Sequence, residues 1–336
     1  MIRYSNFELL HYNTFKLKST AQEFIVIEHR DEIPELIKSG FFTRNFFILS
    51  GGSNVIFNGD FKGAVFHPIF GGINVEQKED GFVEVTVGCG LIWDDFVAWT
   101  VVNNYGGLEN LSLIPGFCGS APVQNIGAFG VEIQQRTIKV EGYDLRTGKR
   151  NLFKNSDCNF GYRNSIFKEN LKNQFFITDV TFRLTTKNHA YNLSYGDLEK
   201  KLEDKITNLS TIRQAVIDIR RNKLPDPQVK GNAGSFFKNP YIDFAQAEKL
   251  QKEYPEIPIY PVDELRKKVA AGWLIEKCGY KGFQHGNAGV HDRQALVLVN
   301  HGQATAQELI ELSDMIQKAV SEKFSIEIEK EVNVVG

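Results

Sequence analysis

Ser50-Gly51-Gly52-Ser53-Asn54 follows the apolar run Phe46-Phe47-Ile48-Leu49 without a break. A buried strand that empties into consecutive glycines gathers several backbone N–H groups at one point with no Cβ in the way. Such a nest binds anions, phosphates above all. Ser53 and Asn54 add side-chain donors of the kind that reach phosphate oxygens. A tight turn between two strands fits the same five residues, and the pentapeptide alone leaves both readings open. A second segment carries more weight. Leu113 to Gly130 (LIPGFCGSAPVQNIGAFG) holds four glycines and two prolines yet stays mostly apolar, which no solvated linker does. Its composition predicts a buried loop whose backbone lies against a large, flat, partly polar ligand.

Other familiar chemistry is missing. No G-x-G-x-x-G follows a strand and opens a helix, and no G-x-x-x-x-G-K-[ST] is present, so neither a Rossmann site nor a P-loop is expected. Cys89, Cys118, Cys158 and Cys278 are scattered; without a CxxC pair they read as free thiols of a reducing compartment. His285, His291 and Asp292 share a short stretch, but a six-residue offset between histidines is not a usual ligand spacing, and no metal is expected. The net charge of −2 argues against nucleic acid as a partner. Arg220-Arg221-Asn222-Lys223 is a local cationic cluster suited to a small anion.

The two glycine-bearing segments resemble the cofactor loops of the UDP-N-acetylenolpyruvoylglucosamine reductase family, flavoenzymes of peptidoglycan precursor synthesis. That family carries Gly-Gly-Gly-Ser-Asn and then Ile-Pro-Gly…Gly…Ala-Pro…Gln-Asn-Ile-Gly-Ala-Tyr-Gly. The resemblance continues at Gly161-Tyr162-Arg163-Asn164-Ser165, Ser194-Tyr195-Gly196-Asp197-Leu198, Lys223-Leu224-Pro225-Asp226-Pro227, Gly231 to Pro240, Ala271 to Ile275, and Glu331-Val332. Nearly the whole chain, from about Asn13 onward, is covered in the family's order. Ser50 in place of a glycine and Phe129 in place of a tyrosine are departures.

The resemblance implies FAD, with NADPH as co-substrate and the enolpyruvyl ether of UDP-N-acetylglucosamine as the group reduced. The FAD contacts it implies are Ser50, Gly51, Gly52, Ser53, Asn54, Ile114, Pro115, Gly116, Gly119, Ser120, Gln124, Asn125, Gly127 and Ala128. The pyrophosphate falls to the first loop and the isoalloxazine to the second. The first loop holds no histidine that could tether a flavin, so the cofactor is expected to be non-covalent. Hydride addition to the terminal carbon builds charge that spreads into the carboxylate, and carbon must then be protonated from a fixed direction. On the resemblance Arg163 grips the carboxylate, Glu331 hydrogen-bonds the developing charge, and Ser235 delivers the proton. Tyr195, Lys223 and Asn239 meet the diphosphate, with Lys281 and Gln294 as further contacts. Taken singly, Arg163 fits a surface ion pair, Ser235 a loop hydroxyl and Lys223 a solvated helix end. Glu331 is chosen over Glu327 and Glu329 only by the motif. A flavin oxidase of the same fold, acting on an alcohol or sugar, is the alternative enzyme. A catalytically dead nucleotide-sugar binding protein is expected to have lost one of Arg163, Ser235 and Glu331, and all three are present.

These residues need a scaffold, and 336 residues that are 42% hydrophobic and 24% charged suit two soluble domains, or one large domain with an insertion. Phe82–Val87 alternates as a half-buried strand, Ile138–Tyr143 and Arg150–Phe153 flank the turn Arg146–Lys149, and Phe175–Leu184 is another strand. The spacing of Ile92, Phe96, Trp99 and Val102 predicts a helix over 91–104. Ile212, Ala215, Val216 and Ile219 form a helical stripe that must stop before Pro225. Asp243 with Gln246, and Thr305 with Glu308, have capping-box spacing; the second opens a helix bearing Leu309, Leu312, Ile316, Ala319 and Val320. Ile326–Val335 reads as a final strand. The fold class is α+β. The resemblance implies an FAD-binding domain of the vanillyl-alcohol-oxidase type over 1–210, with subdomains of about 1–70 and 71–210. A substrate domain follows over 211–325, and 326–336 carries Glu331 to the active site. The N-terminus has no signal-peptide pattern and no apolar run is long enough for a bilayer. A cytoplasmic, soluble monomer without membrane insertion is expected.

Overall fold

The computed structural model describes every residue except Gly196 and Asp204, and Asp80 in its backbone alone. Gly196 of the Ser-Tyr-Gly-Asp segment therefore lies outside the described residues. The chain forms two compact units. One contains Met1–Phe7, Ala21–Gly52 and Lys62–Asn222; the other contains Glu8–Thr20, Ser53–Phe61 and Lys223–Gly336.

In the first unit a four-stranded sheet runs in the order Ile2–Glu8, Thr20–Ile27, Phe61–Pro68, Phe46–Ile48. Phe46–Ile48 pairs in parallel with Ala64–Phe66, and Phe42 stacks tilted on Phe66 at 4.4 Å between centroids. A second, antiparallel sheet has the order Arg150–Lys154, Thr137–Asp144, Phe175–Thr185, Phe82–Gly88, Ile73–Gln77. Val83, Val85 and Val87 alternate into the core, as the period-two pattern predicts. In the hairpin turn, the Asp144 carboxylate accepts from the N–H groups of Arg146 (3.0 Å) and Thr147 (2.6 Å), and this holds the expected reversal.

The helix expected over 91–104 forms as Trp93–Val102, but with a different buried face. Trp93, Phe96, Val97 and Thr100 are buried, whereas Ile92 and Val102 are exposed. Both stripes have helical spacing and share Phe96. The indole of Trp93 and the ring of Phe96 sit 5.8 and 5.6 Å from Phe182, and that contact decides between them. The later helix spans Leu209–Lys223. It buries Ile212, Ala215, Val216 and Ile219 against Leu198 and Leu202. That packing carries the first unit on to Asn222, past the boundary expected at 210.

The second unit has a sheet ordered Asn232–Ser235, Val297–Asn300, Ala288–Val290, Gln284–His285, and a smaller one ordered Tyr241–Asp243, Arg266–Val269, Ile259–Pro261. The helix Ala306–Phe324 buries Leu309, Leu312, Ile316 and Val320, and its Thr305/Glu308 capping box is complete. The Asp243 carboxylate caps the helix Phe244–Glu253 by accepting from Gln246 N–H at 2.7 Å. That box is only half formed, because the Gln246 amide instead donates to the Ser325 carbonyl at 3.0 Å. Glu8–Thr20 joins this unit through Asn232 N–H to Thr14 carbonyl (3.0 Å) and the Asn300 amide to Phe15 carbonyl (2.9 Å). The final strand is Asn333–Val335, parallel to Val55–Phe57, and shorter than the expected 326–335. Glu329 and Glu331 bond instead to the backbone of Lys238 and Phe236, so the segment changes partner and no single ladder can run through it.

Candidate active site

In the first unit the glycine loop approaches the second cofactor segment backbone to backbone. A Cβ on Gly51 would stand 2.9 Å from the Gly116 Cα, inside any tolerable contact. The Ser50 hydroxyl donates to the Ser120 hydroxyl at 3.1 Å, and Ser120 donates onward to the Phe117 carbonyl at 2.8 Å. The departure at Ser50 therefore links two loops. Ile114, Gly116, Gly119, Ser120 and Gln124 are half-buried and Pro115 and Gly130 are exposed, while Cys118, Ala121, Pro122, Asn125 and Ile126 are buried; the segment is buried in its middle and open at both ends. Gly127-Ala128 pairs with Val131-Glu132 across Phe129 (φ 48°) and Gly130 (φ 76°). Two consecutive left-handed residues make a type I′ hairpin turn, unreadable from sequence because phenylalanine rarely adopts it.

Asn125 is fully buried and its side chain is committed within the protein. Its amide donates to Glu132 and to the Gly161 carbonyl, both at 2.9 Å, and its carbonyl accepts from Gln134 N–H at 3.1 Å. It braces the turn that carries Arg163. In that turn Gly161 and Asn164 exchange both backbone bonds, and Arg163 takes the position with φ 53°, where glycine is usual. A guanidinium N–H of Arg163 donates to the Gly127 carbonyl at 2.8 Å. Arg163 is thus brought beside Gly127 of the cofactor segment. Tyr195 is exposed, with its ring edge-on to Phe129 at 6.4 Å. Asn110 donates to the carbonyls of both Phe129 (3.0 Å) and Asn192 (2.8 Å), tying the cofactor segment to the one that carries Tyr195.

Two arginines stand on the helix Leu209–Lys223: Arg220, from the cationic cluster noted in the sequence, and Arg213, which was not singled out. Arg213 grips Asp94 by both nitrogens, at 2.6 and 3.0 Å, and Asp94 also accepts from Leu113 N–H at 2.5 Å. Burial pushes the Asp94 carboxyl up, but these partners outweigh it and hold it below the usual carboxylate range. Arg220 has no such partner: its Nε is buried without a hydrogen bond. Burial pulls its guanidinium down to about 10, with Asp94 opposing and the positive charge of Arg163 adding to the fall. It remains a cation at neutral pH. Buried polar groups are almost always paired within a protein, so an orphaned guanidinium near Arg163 fits a ligand that supplies acceptors. Arg220 was legible in the cationic cluster, and the signal for Arg213 lay in the helical stripe, which places residues 213 and 220 on one flank.

In the second unit Ser235 ends the strand Asn232–Ser235 and is exposed. Glu331 N–H donates to the Phe236 carbonyl at 2.8 Å, and the Asn54 amide donates to the Glu331 carbonyl at 3.2 Å. The fold thereby brings Asn54, Ser235 and Glu331 to one edge; a donor of Asn54 expected for phosphate serves the main chain. Ile326 and Ile328 are buried while Glu327 and Glu329 are exposed and Glu331 is half-buried, which separates Glu331 from the two glutamates it alternates with. Asn239 uses its carbonyl to hold Ala271 N–H at 2.9 Å. Lys281 is paired with Glu276 at 3.0 Å, and the Gln294 side chain accepts from Leu296 N–H at 3.3 Å. Lys223 is the exposed last residue of its helix. Lys268, not singled out from sequence, stands between Tyr241 and Tyr260 across its two neighbouring strands. His285 meets Glu311 at 3.2 Å and His291 meets Asp292 at 3.3 Å, two separate contacts.

Residues 22–149 match the model of an FAD binding domain family, and 226–335 match that of the UDP-N-acetylenolpyruvoylglucosamine reductase C-terminal domain. By fold and site the chain is an α+β flavoprotein that uses FAD. It is 47% identical to UDP-N-acetylenolpyruvoylglucosamine reductase of Flavobacterium johnsoniae over 334 residues, 98% of this chain and 99% of that one. It is 44% identical to the enzyme of that name from Bacteroides fragilis over 330 residues, 98% of this chain and 99% of that one. The chain belongs to the UDP-N-acetylenolpyruvoylglucosamine reductase family. Its fold is similar to the crystal structure of UDP-N-acetylenolpyruvylglucosamine reductase from Thermus caldophilus. The TM-score is 0.67 at 23% identity, covering 100% of this chain and 98% of that one. Among the described residues no helix is long and apolar enough to cross a membrane.

Proposed function

We propose that this protein reduces the enolpyruvyl ether of UDP-N-acetylglucosamine enolpyruvate to UDP-N-acetylmuramate, with NADPH as reductant and FAD held non-covalently. The observation that carries this reading is the 47% identity to a reductase of that name over 98% of the chain, with Arg163, Ser235 and Glu331 all present. The orphaned Nε of Arg220 and the cradle at Gly51 and Gly116 fit a cofactor and substrate that bring anionic oxygens. FAD, when bound, supplies a two-electron carrier that takes hydride from NADPH and gives it to the terminal carbon of the double bond.

The chain's own residues manage the charge that follows. Arg163 meets the substrate carboxylate with a planar fork, and Arg220 adds a second positive charge. Glu331 shares a hydrogen bond with the carboxylate as negative charge spreads into it. Ser235 protonates carbon; a free alcohol is a weak acid, but transfer to a carbanion is strongly downhill. Tyr195, Lys223 and Asn239 neutralise and bond the diphosphate, the last through its amide N–H₂. Ser50 to Asn54, Ile114 to Gly116, Gly119, Ser120, Gln124, Gly127 and Ala128 hold FAD, while Asn125 braces the second loop from within. In this reading the first unit binds FAD, and the second supplies Lys223 and Asn239 to the UDP-sugar. A UDP-linked precursor is made where nucleotide triphosphates and NADPH are available, so the protein works in the cytoplasm, as a monomer.

Two anaerobic titrations test the reading. NADPH should bleach the flavin of the yellow purified protein, and the enolpyruvyl ether should restore its colour. Acid should release all the flavin into the supernatant. Colour restored by oxygen but not by the enolpyruvyl ether would overturn the assignment in favour of an oxidase.

A further inference from the structure

Arg213 and Arg220 lie seven residues apart in the helix Leu209–Lys223, about 10 Å along its axis and on one flank. Arg213 donates through both terminal nitrogens to Asp94, whereas Arg220 Nε is buried without a hydrogen bond. Asp94 is within electrostatic reach of both, yet both its oxygens are held by the Arg213 fork, and Leu113 N–H takes Oδ1 as well. A carboxylate gripped in bidentate geometry by one guanidinium has little left for a second. Were Arg213 absent, Asp94 would be a half-buried carboxylate lacking its cation. Arg220, already within electrostatic reach of Asp94, would be drawn to neutralise it.

We propose that Arg213 is a positioning residue: by holding Asp94 it keeps Arg220 unpaired, so that Arg163 and Arg220 together receive the substrate carboxylate. This rests on the reading above that a carboxylate is bound beside Arg163. The competing role is a plain clamp, in which Arg213 and Asp94 only fasten two helices and the Leu113 turn. The two roles differ in what happens when Asp94 is removed as well. A broken clamp stays broken, whereas loss of the competing carboxylate sets Arg220 free again.

The experiment uses the FAD-loaded full chain and two ligands, UDP-N-acetylmuramate and UDP-N-acetylglucosamine, which differ by the carboxylate-bearing group. Dissociation constants come from calorimetry or flavin difference absorbance, without turnover. The unmodified protein should prefer the carboxylate ligand. Arg213→Gln should cut that preference about tenfold or more, the scale of a lost hydrogen bond to a charged group, with UDP-N-acetylglucosamine affinity little changed. Asp94→Asn/Arg213→Gln should restore the preference to within about threefold, a coupling that only a double variant exposes. A preference intact in Arg213→Gln, or one that falls as far in the double variant, overturns the proposal. If Arg213→Gln loses its flavin, Asp94→Asn alone decides: the preference should hold or rise, and a fall overturns the proposal. No preference in the unmodified protein would instead defeat the reading of a carboxylate site, before any variant is made.

Discussion

In the first unit the candidate site stands on strained or unpaired groups. Leu113, Phe129 and Arg163 all carry positive φ, and Arg220 has a buried nitrogen with no partner. In the second unit Ser235 follows a register shift in its strand where Gly234 takes the left-handed turn (φ 67°), a conformation glycine adopts without strain, and Glu331 N–H bonds to the Phe236 carbonyl. The contrast separates two ways of building a site. Charge recognition is served by a cation such as Arg220, whose Nε is left without a partner, and the protein loses stability to hold it so. Proton delivery calls only for a hydroxyl at a fixed place, which a strand end provides at no such cost.

Ser235→Ala is the sharpest probe of the second unit. On the proposed mechanism NADPH-driven bleaching should stay within a few-fold of normal, while reoxidation by the enolpyruvyl ether should fall by about 10²–10⁴, the range of a positioned general acid. Stopped-flow absorbance with each substrate in turn reads both halves. Thermal stability should hardly move; a large loss would mean that Ser235 is structural and the contrast misplaced.

Arg220→Met probes the first unit and should push stability and binding in opposite directions. Replacing this half-buried cation, whose Nε lacks a hydrogen bond, by an apolar side chain of similar length should raise stability by about 1 kcal/mol. Affinity for UDP-N-acetylmuramate should drop. Urea unfolding beside calorimetric binding would show it, and a destabilised variant would count against an orphaned charge.

Gly51→Ala tests the backbone cradle. The added methyl would press on Gly116, and overpacking of this kind costs about 1–3 kcal/mol. FAD affinity should weaken by a corresponding factor, measured by reconstituting the apoprotein. Tight FAD binding in this variant would mean that the two loops part easily. The smallest effect belongs to a position remote from both chemistries. Thr305→Ala removes the cap of the helix Ala306–Phe324 and should lower stability by about 1 kcal/mol with both half-reactions unchanged.

Periodicity and capping chemistry are local, and the elements that rest on them could be read without coordinates. The strands Phe82–Gly88 and Phe175–Thr185, the hairpin at Asp144 and the Thr305 capping box all follow from neighbours a few residues apart. The family, and with it FAD, was equally legible, because loop motifs such as Ser50–Asn54 and Leu113–Gly130 are contiguous in the chain. Tertiary structure alone decided the rest. Which stripe of Trp93–Val102 faces inward depended on Phe182, far along the chain. The end of the first unit at Asn222 depended on Leu198 and Leu202. Asn125 was expected to meet the cofactor, and only folding revealed that its amide is committed to Glu132 and Gly161. The division of labour between Arg213 and Arg220 is of the same kind. Both are arginines on one helical flank, and their difference comes from Asp94, which is over a hundred residues away in sequence and close only in space. Charge pairing depends on distance through space, and distances between remote residues exist only once the chain has folded.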